Sequence, residues 1–271
     1  MIHVVCDLDG VIYRGSRVLD GVPGAMARLN TAGGRLVFVT NNSTRTPAQV
    51  ATRVEELTGV GCRAEDVCTS PEAAVGMLRL EDAPTFVVGE GGITDVLAGA
   101  GWPVTTDAVT ANSVMVGLTP RIDYDWLAAA ADAVRRGARF IATNIDPTYP
   151  TERGLLPGAG SIVAAIEVAA GARAEVAGKP HRPMIDLVRS RVEGRVWVVG
   201  DRVDTDMAMA AAELEWTSIL VLGGVTAGGK PGVDADYVVD GFPAAIDLIL
   251  GRSWSGPGRS PAPPPSEPRR P

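Results

Sequence analysis

The stretch VVCDLDGVIY, residues 4–13, carries the strongest structural signal in the sequence. Its apolar start predicts a buried β-strand, which leads into Asp7 and Asp9 with one residue between them. Side chains alternate between the two faces of an extended chain, so both carboxylates point the same way. At the carboxyl end of a strand in an open parallel sheet, that direction is the crevice where ligands bind. The pattern predicts a site that needs a cation, because paired carboxylates are costly without one.

Short apolar runs recur along the chain, and each is followed by a loop and a helix-like segment. They are LVFVT, TFVVG, SVMVG, RFIAT, VWVVG and SILVLG. This alternation predicts an α/β fold with a doubly wound, Rossmann-like parallel sheet covered by helices on both faces. Thr46, Pro47 and Gln49 predict one helix start, since they fit a capping box with proline in the first turn.

Composition excludes several classes of function. A hydrophobic fraction of 46% and a charged fraction of 21% are typical of a globular protein. The net charge of -7 argues against a nucleic-acid partner. No stretch approaches 18 apolar residues, no secretory signal opens the chain, and the three cysteines form no CxxC pair. We therefore expect a cytoplasmic protein that does not bind membranes.

Three more apolar runs end in polar residues that suit phosphate chemistry. Thr40 and Asn41 offer a hydroxyl and an amide to phosphoryl oxygens, although a capped turn would use the same residues. Lys179 lies in a tight loop before a helix, where its charge could offset a phosphate. Asp201 and Asp206 follow another buried run. Acids from both ends of the chain would exclude a phosphate dianion unless a divalent cation were present, and Mg²⁺ is the natural choice.

The four motifs DLDG, TNNS, GKP and GDRVDTD, in this order and each at a strand end, resemble those of the haloacid dehalogenase (HAD) superfamily of phosphatases. VTNNS, AGKP and GDRVDTD, with the lysine placed late, are similar to the NagD-like branch. That branch includes 4-nitrophenylphosphatases, phosphoglycolate phosphatases and glycerol-3-phosphate phosphatases. The resemblance covers residues 1 to about 250. It implies an Mg²⁺-dependent phosphomonoester hydrolase that works through an aspartyl-phosphate intermediate.

Catalytic roles follow from the resemblance by position. Asp7 corresponds to the nucleophile, and Asp9 to the general acid that protonates the leaving oxygen and later activates water. Thr40, Asn41 and Lys179 correspond to the residues that bind the phosphoryl oxygens.

The metal ligands also follow from the resemblance. It assigns Mg²⁺ to the Asp7 carboxylate, the Asp9 main-chain carbonyl and Asp201, with Asp206 acting directly or through water. Asp204 has no clear role in the family, and we interpret it as a surface residue or an outer neighbour of the ligands.

The 138 residues between Thr40 and Lys179 greatly exceed what a parallel crossover needs. We expect a second α/β domain there, which the resemblance identifies as a C2-type cap. The predicted division is core 1–83, cap 84–176 and core 177–251. Residues 252–271 hold seven of the twenty prolines and read as a disordered tail.

The segment ATNIDPTYPTERGLLPGAGS is predicted to be a polar cap loop. It resembles the corresponding loop of glycerol-3-phosphate phosphatases, so Tyr149 and Arg153 are candidates for substrate specificity. A purely structural loop is the alternative. Glycerol 3-phosphate is the preferred substrate, while 2-phosphoglycolate, pyridoxal phosphate and nucleoside monophosphates also suit this class of cap.

Other functions stay open at this point. A phospho-receiver module also combines acids, a threonine and a lysine, but Asp9 and the large insertion argue against it. A glycosyltransferase would leave Thr40, Lys179 and Asp206 unused. A phosphotransferase of the same superfamily would use the same residues as the hydrolase. Relatives often dimerise through the cap, which leaves a homodimer open, although no long apolar stripe indicates one.

Overall fold

The computed structural model describes residues 1–151, 154–222 and 235–251. In chain order its strands are β1 (Ile2–Cys6), β2 (Tyr13–Arg14), β3 (Arg17–Val18), β4 (Arg35–Thr40), β5 (Val67–Thr69), β6 (Thr85–Val88), β7 (Val104–Thr105), β8 (Ser113–Val116), β9 (Arg139–Ala142), β10 (Thr148–Thr151), β11 (Gly154–Pro157), β12 (Glu175–Val176), β13 (Arg195–Gly200), β14 (Trp216–Val221) and β15 (Tyr237–Val239). The α-helices are α1 (Val22–Thr31), α2 (Pro47–Thr58), α3 (Ser70–Val75), α4 (Gly91–Gly99), α5 (Tyr124–Arg135), α6 (Ala159–Ala170), α7 (Arg182–Arg189), α8 (Ala208–Ala211) and α9 (Phe242–Ile249).

These elements form two compact units. The first contains Met1–Arg14, Val18–Leu36 and the described residues from Gly194 onward, and the second contains Gly15–Arg17 and the described residues of Val37–Glu193. In the first unit four strands run parallel in the order β15, β14, β13, β1. The strands β1 and β13 are buried along almost their whole length. Continuous apolar runs of this kind are typical of parallel strands that are covered on both faces.

The pairing of β1 with β13 positions the acids predicted from the sequence. Cys6, the last residue of β1, is paired with Val199, the second-last residue of β13. Because the two strands are parallel and adjacent, Asp7 and Asp201 leave the sheet at the same edge.

The second unit has a parallel sheet of its own. Five strands lie in the order β12, β9, β8, β6, β7, and all the pairs described between them are parallel. Apolar side chains of this sheet and of α5 and α6 form one buried cluster, which includes Phe86, Val114, Phe140 and Ile166. The strands β4 and β5 also pair in parallel in this unit, with Thr40 opposite Thr69.

The parallel-sheet α/β fold predicted from the sequence is confirmed, and every apolar run quoted above contributes to a strand. The capping box at α2 is confirmed as well. Thr46 Oγ1 accepts from the N–H of Gln49 at 3.2 Å, and Gln49 Oε1 accepts from the N–H of Thr46 at 2.9 Å. The division into core and cap remains a prediction, and the tail 252–271 lies outside the described residues.

The expectation of a loop without regular structure after β9 is wrong. The strands β10 and β11 form an antiparallel hairpin, with Thr148 paired with Pro157 and Tyr149 with Leu156. Proline has no N–H to donate to a ladder, so the prolines of this segment hid the strands from sequence analysis. A hairpin of two short strands with no third neighbour tolerates such residues.

None of the described helices combines the length and the apolar character that crossing a bilayer requires.

An ion network of Arg139 with the buried Asp82 and the exposed Glu175 holds the sheet of the second unit to the segment that precedes it. Arg139, whose side chain is 18% exposed, donates to Asp82 at 2.8 Å and to the Met77 carbonyl at 2.6 Å. Its other nitrogens donate to both carboxylate oxygens of Glu175, at 2.8 and 2.7 Å. Bidentate pairs of this kind are among the stronger charged hydrogen bonds.

Replacing Arg139 by Met should lower the free energy of unfolding by about 2 to 4 kcal/mol, because the buried Asp82 would lose its cation. The matched control is Arg135→Met. Arg135 is 49% exposed and pairs with Asp132 on the surface of α5, so that change should cost less than about 1 kcal/mol. Urea denaturation measures both, and equal losses would contradict the structural role of Arg139.

The same network predicts a pH dependence. Hydrogen bonds from Arg139, and then its charge, lower the pKa of Glu175 below its ordinary value of 4.5. A lowered folded pKa means that the pair stabilises the fold above the unfolded pKa and stops doing so as pH falls through the folded pKa. The free energies of unfolding of the parent and of Glu175→Gln should therefore differ near neutral pH and converge as the pH falls through the lowered folded pKa of Glu175. A difference that persists in acid would contradict this assignment.

Candidate active site

Three acids converge at the carboxyl edge of β1 and β13. Asp7, Asp201 and Asp206 each place a carboxylate oxygen so that all three lie within 4.8 Å of one another. Asp201 is 1% exposed and Asp206 is 2% exposed, whereas Asp7 is half-buried. In the part of the chain that the structure describes, this is the one group of three or more potential metal ligands.

Local backbone structure creates this convergence. The N–H of Asp7 donates to the Val199 carbonyl at 3.0 Å and extends the ladder between the two strands by one residue. After β13, the turn Val203–Met207 has the wide hydrogen-bonding pattern of a π-helix and brings Asp206 back over the strand end. The N–H of Arg202 donates to Asp206 Oδ2 at 3.1 Å, which orients that carboxylate. Single π-type turns often occur at functional sites.

Gly200 makes room for this arrangement. A Cβ atom on Gly200 would lie 2.2 Å from Asp206 Cβ and 2.4 Å from Asp206 Oδ2. Any larger residue at the end of β13 would displace Asp206. The glycine in GDRVDTD is therefore a packing requirement of the acid cluster.

The donor set fits a hard divalent cation. Buried carboxylates at this separation repel each other, and burial strengthens the repulsion because water screens it less. Mg²⁺ prefers oxygen ligands such as carboxylates. In proteins it is usually bound by one or two carboxylates, and substrate phosphate and water complete its coordination. Asp204 points elsewhere, being 70% exposed and paired with Arg202 at 2.7 Å.

Asp9 lies two residues beyond Asp7 and is half-buried, with the fully buried Leu8 between them. Its carboxylate is outside the group of three. The chain turns immediately after it, since the N–H of Gly10 donates to the Tyr13 carbonyl at 2.8 Å. A general acid at this position would be held by a tight turn while the metal ligands stay on the strand ends.

The predicted phosphate-binding residues lie in the second unit, where Thr40, Asn41 and Lys179 are all buried. The Thr40 hydroxyl accepts from the N–H of Asn42 at 3.1 Å, so its own proton is directed away from that bond. The backbone N–H of Lys179 donates to Asn41 Oδ1 at 2.8 Å, and Lys179 Nζ donates to the Val39 carbonyl at 3.2 Å. The structure thus brings Lys179 to the end of β4.

Gly178 permits this close approach of two distant segments. A Cβ atom there would lie 2.5 Å from Asn41 Oδ1 and 2.6 Å from the Thr143 carbonyl. His181, which follows in the same loop, is the N-cap residue of α7 and donates its backbone N–H to the Gly178 carbonyl at 2.9 Å.

Of the two specificity candidates, the structure describes only Tyr149. Tyr149 is half-buried in β10, and Arg153 lies outside the described residues. Sequence analysis missed Asn144 and Asp146, which follow β9 and bond to Asn41. The ATNID sequence contained both residues, but polar residues after a strand also form ordinary turns.

Comparison with known proteins places these motifs in a family. The model described as haloacid dehalogenase-like hydrolase matches residues 4–103, and a second, HAD-hydrolase-like model matches residues 176–245. D-glycerol 3-phosphate phosphatase from Mycobacterium tuberculosis is 40% identical over 228 residues, which are 82% of this chain and 63% of that protein. This chain thus spans less than two thirds of that relative. Acid sugar phosphatase from Staphylococcus haemolyticus is 36% identical over 225 residues, or 81% of this chain and 84% of that protein.

Solved structures agree with the sequence relatives. Glycerol phosphate phosphatase from Mycobacterium tuberculosis in complex with magnesium has a TM-score of 0.78 and 34% identity, covering 89% of this chain and 74% of that one. NagD from Escherichia coli has a TM-score of 0.77 and 30% identity, covering 89% of this chain and 96% of that one. The chain therefore belongs to the haloacid dehalogenase-like hydrolases, and within them to the NagD-like branch of phosphomonoester hydrolases.

Proposed function

We propose that this chain hydrolyses glycerol 3-phosphate to glycerol and inorganic phosphate, with Mg²⁺ as cofactor and Asp7 as the nucleophile. The convergence of Asp7, Asp201 and Asp206 within 4.8 Å carries the proposal. Buried acids at this spacing are costly for a fold and useful for a metal-assisted reaction of phosphate.

Asp7, Asp201 and Asp206 would hold Mg²⁺ through their carboxylates, together with the main-chain carbonyl of Asp9. When bound, the ion offsets the acids' charge and the charge that develops on the phosphoryl oxygens. The three carboxylates fit such an ion in donor type and spacing.

The reaction proceeds in two displacements on the chain's own residues. An oxygen of Asp7 forms a bond to phosphorus while the bond from phosphorus to the glycerol oxygen breaks, and Asp9 gives its proton to that oxygen. Asp9 then takes a proton from water, whose oxygen bonds to phosphorus as the bond to Asp7 breaks. Inorganic phosphate leaves, Asp7 is restored as a carboxylate, and Asp9 is again protonated.

Thr40, Asn41 and Lys179 would bind the oxygens of the phosphoryl group. Thr40 suits a donor role because its hydroxyl already accepts one hydrogen bond from Asn42. The side chain of Asn41 is bonded to the backbone of Lys179, so Asn41 would contribute its main-chain N–H. The ammonium group of Lys179 would offset negative charge on the transferring group.

Glycerol 3-phosphate is the proposed substrate because a relative with 40% identity bears that name and the cap loop resembles its class. Residues 84–176 would form the cap that excludes bulk water, with Tyr149 and Arg153 contacting the part of the substrate beyond the phosphate. A cytoplasmic location and a homodimer through the cap stay predictions of the sequence.

A panel of phosphomonoesters, assayed for phosphate release with and without Mg²⁺, tests this proposal. Glycerol 3-phosphate should give the highest kcat/KM, and chelation of Mg²⁺ should abolish release. The panel includes 2-phosphoglycolate, pyridoxal phosphate, nucleoside monophosphates and sugar phosphates. A higher kcat/KM for one of these would overturn the substrate but not the reaction. If a phosphodonor labels the protein without turnover, the chain is a receiver module instead. If the enzyme transfers the phosphoryl group to glycerol in preference to water, it is a phosphotransferase.

Replacing Asp7 by Asn should reduce turnover by about a thousandfold or more, because the amide is a poor nucleophile and a weaker ligand. The matched control is Asp204→Asn, which removes one carboxylate from the same edge but leaves the group of three intact; it should keep near-parent rates. Steady-state kinetics on folded protein, verified by thermal melting, measures both. Near-parent activity of Asp7→Asn would rule out this nucleophile.

Replacing Gly200 by Ala should weaken Mg²⁺ binding roughly 10-fold to 100-fold, because the added methyl group displaces Asp206. Gly61→Ala is the control, since a Cβ atom there meets nothing within 4 Å. Calorimetric titration with Mg²⁺ measures both variants. Unchanged affinity in Gly200→Ala would show that Asp206 does not contribute to the metal site.

A further inference from the structure

The side chain of Asp146 contacts a residue that sequence analysis had assigned to phosphate binding. Asn41 Nδ2 donates to both oxygens of the Asp146 carboxylate, at 3.3 and 3.2 Å. Asp146 lies beyond the end of β9, 105 positions along the chain from Asn41. A contact between such distant segments has to be specified by the fold, because no local turn produces it.

The side-chain amide of Asn41 forms hydrogen bonds to both Asp146 and Lys179. Its Oδ1 accepts from the backbone N–H of Lys179 at 2.8 Å, and its Nδ2 also donates to the Lys179 carbonyl at 3.2 Å. The two amide hydrogens and the carbonyl oxygen therefore fix the amide plane against the loop that carries the lysine. The Asp146 carboxylate accepts from the same Nδ2, and a charged acceptor strengthens the bond.

The main chain around Asn41 is held by the same loop. Asn144 Nδ2 donates to the Asn41 carbonyl at 2.8 Å, and Asn144 Oδ1 accepts from the N–H of Asp146 at 3.1 Å. Asn144 and Asp146 thus bind the backbone and the side chain of Asn41 together. Both are supplied by the turn that leads from β9 to the hairpin of β10 and β11.

Two glycines fix the position of Asp146 itself. The N–H of Gly160 donates to the Asp146 carbonyl at 3.0 Å. A Cβ atom on Gly158 would lie 2.2 Å from that carbonyl oxygen, and one on Gly160 would lie 2.3 Å from the Ile145 carbonyl oxygen. The two glycines of the PGAGS sequence thus let the start of α6 approach Asp146 closely.

We infer that Asp146 is a positioning residue for phosphate binding: through the Asn41 amide it holds the Lys179 loop in the geometry that accepts a phosphoryl group. The inference rests on the proposed function for the role of Lys179. Asp146 itself touches neither the phosphate nor the metal ligands in this account. It links the base of the β10–β11 hairpin, which bears Tyr149, to the lysine loop by two hydrogen-bonded steps.

Replacing Asp146 by Ala tests the inference in two measurements on the full chain. The Kd for inorganic phosphate, measured by calorimetry in Mg²⁺, and the KM for glycerol 3-phosphate should both rise roughly tenfold, because the buried Asn41 loses a half-buried charged acceptor. The Mg²⁺ affinity without phosphate, and most of kcat, should stay at parent values. Asp95→Ala, which removes an exposed acid from α4 in the same unit, should change none of these quantities.

A double-mutant cycle with Asn41→Ala decides whether Asp146 acts through Asn41. In the Asn41→Ala background, the further change Asp146→Ala should alter phosphate affinity by less than about twofold, since the link is already broken. A full tenfold effect in that background would overturn the inference and indicate direct contact with substrate. Asp146→Asn keeps an acceptor oxygen and should recover phosphate affinity to within about threefold of the parent.

The outcomes separate this inference from the proposed function. If the parent binds phosphate in Mg²⁺ but hydrolyses no monoester, the proposed reaction fails while the affinity cycle still tests Asp146. If Asp146→Ala melts at the parent temperature and keeps the parent Kd and KM, the positioning role is wrong whatever the substrate. Should Asp146→Ala fail to fold, the tests pass to Asp146→Leu, which has a similar size and also lacks the acceptor oxygens. Parent Kd and KM values in folded Asp146→Leu, with a raised Kd in Asn41→Ala, would also refute the role.

Discussion

Mutual repulsion of carboxylates at the carboxyl edge of β1 and β13 is the constraint that this structure has to satisfy. Asp7, Asp201 and Asp206 bring oxygens within 4.8 Å, and two of the three are almost completely shielded from water. A hard divalent cation would offset the repulsion between the carboxylates, because the same negative charges attract it. The strand pairing, the π-type turn and the small Gly200 all serve to keep the acids together.

The residues proposed to bind phosphate, all in the second unit, are constrained by hydrogen bonds between distant segments. Asn41 receives its partners from the Lys179 loop and from the turn after β9, and Gly178 leaves the space for this approach. Lys179 is held at both ends, because its backbone N–H donates to Asn41 and its ammonium group donates to the Val39 carbonyl. Preorganised charge of this kind is what catalysis of phosphoryl transfer requires, since little reorganisation is then needed during the reaction.

Sequence reasoning succeeded where the signal is local. The runs IHVVC and VWVVG became β1 and β13, and Asp7 and Asp201 follow the last residues of these strands directly. Motif resemblance identified the family, which no single motif could have done. It could not reveal the role of Asp146, because its partner Asn41 lies 105 residues away and only the fold brings them together. The β10–β11 hairpin was missed because proline in both segments argues against strands, and the function of Gly158 and Gly160 depends on backbone atoms that have no sequence signature.

A crystal of the chain soaked in Mn²⁺, examined by anomalous scattering, tests the central claim most directly. Mn²⁺ takes oxygen ligands as Mg²⁺ does and can be located by its own signal. One ion should lie about 2.1 to 2.3 Å from carboxylate oxygens of Asp7 and Asp201, with Asp206 a direct ligand or one water away. An absence of ordered Mn²⁺ at these acids, or an ion bound elsewhere while they remain in place, would contradict the account.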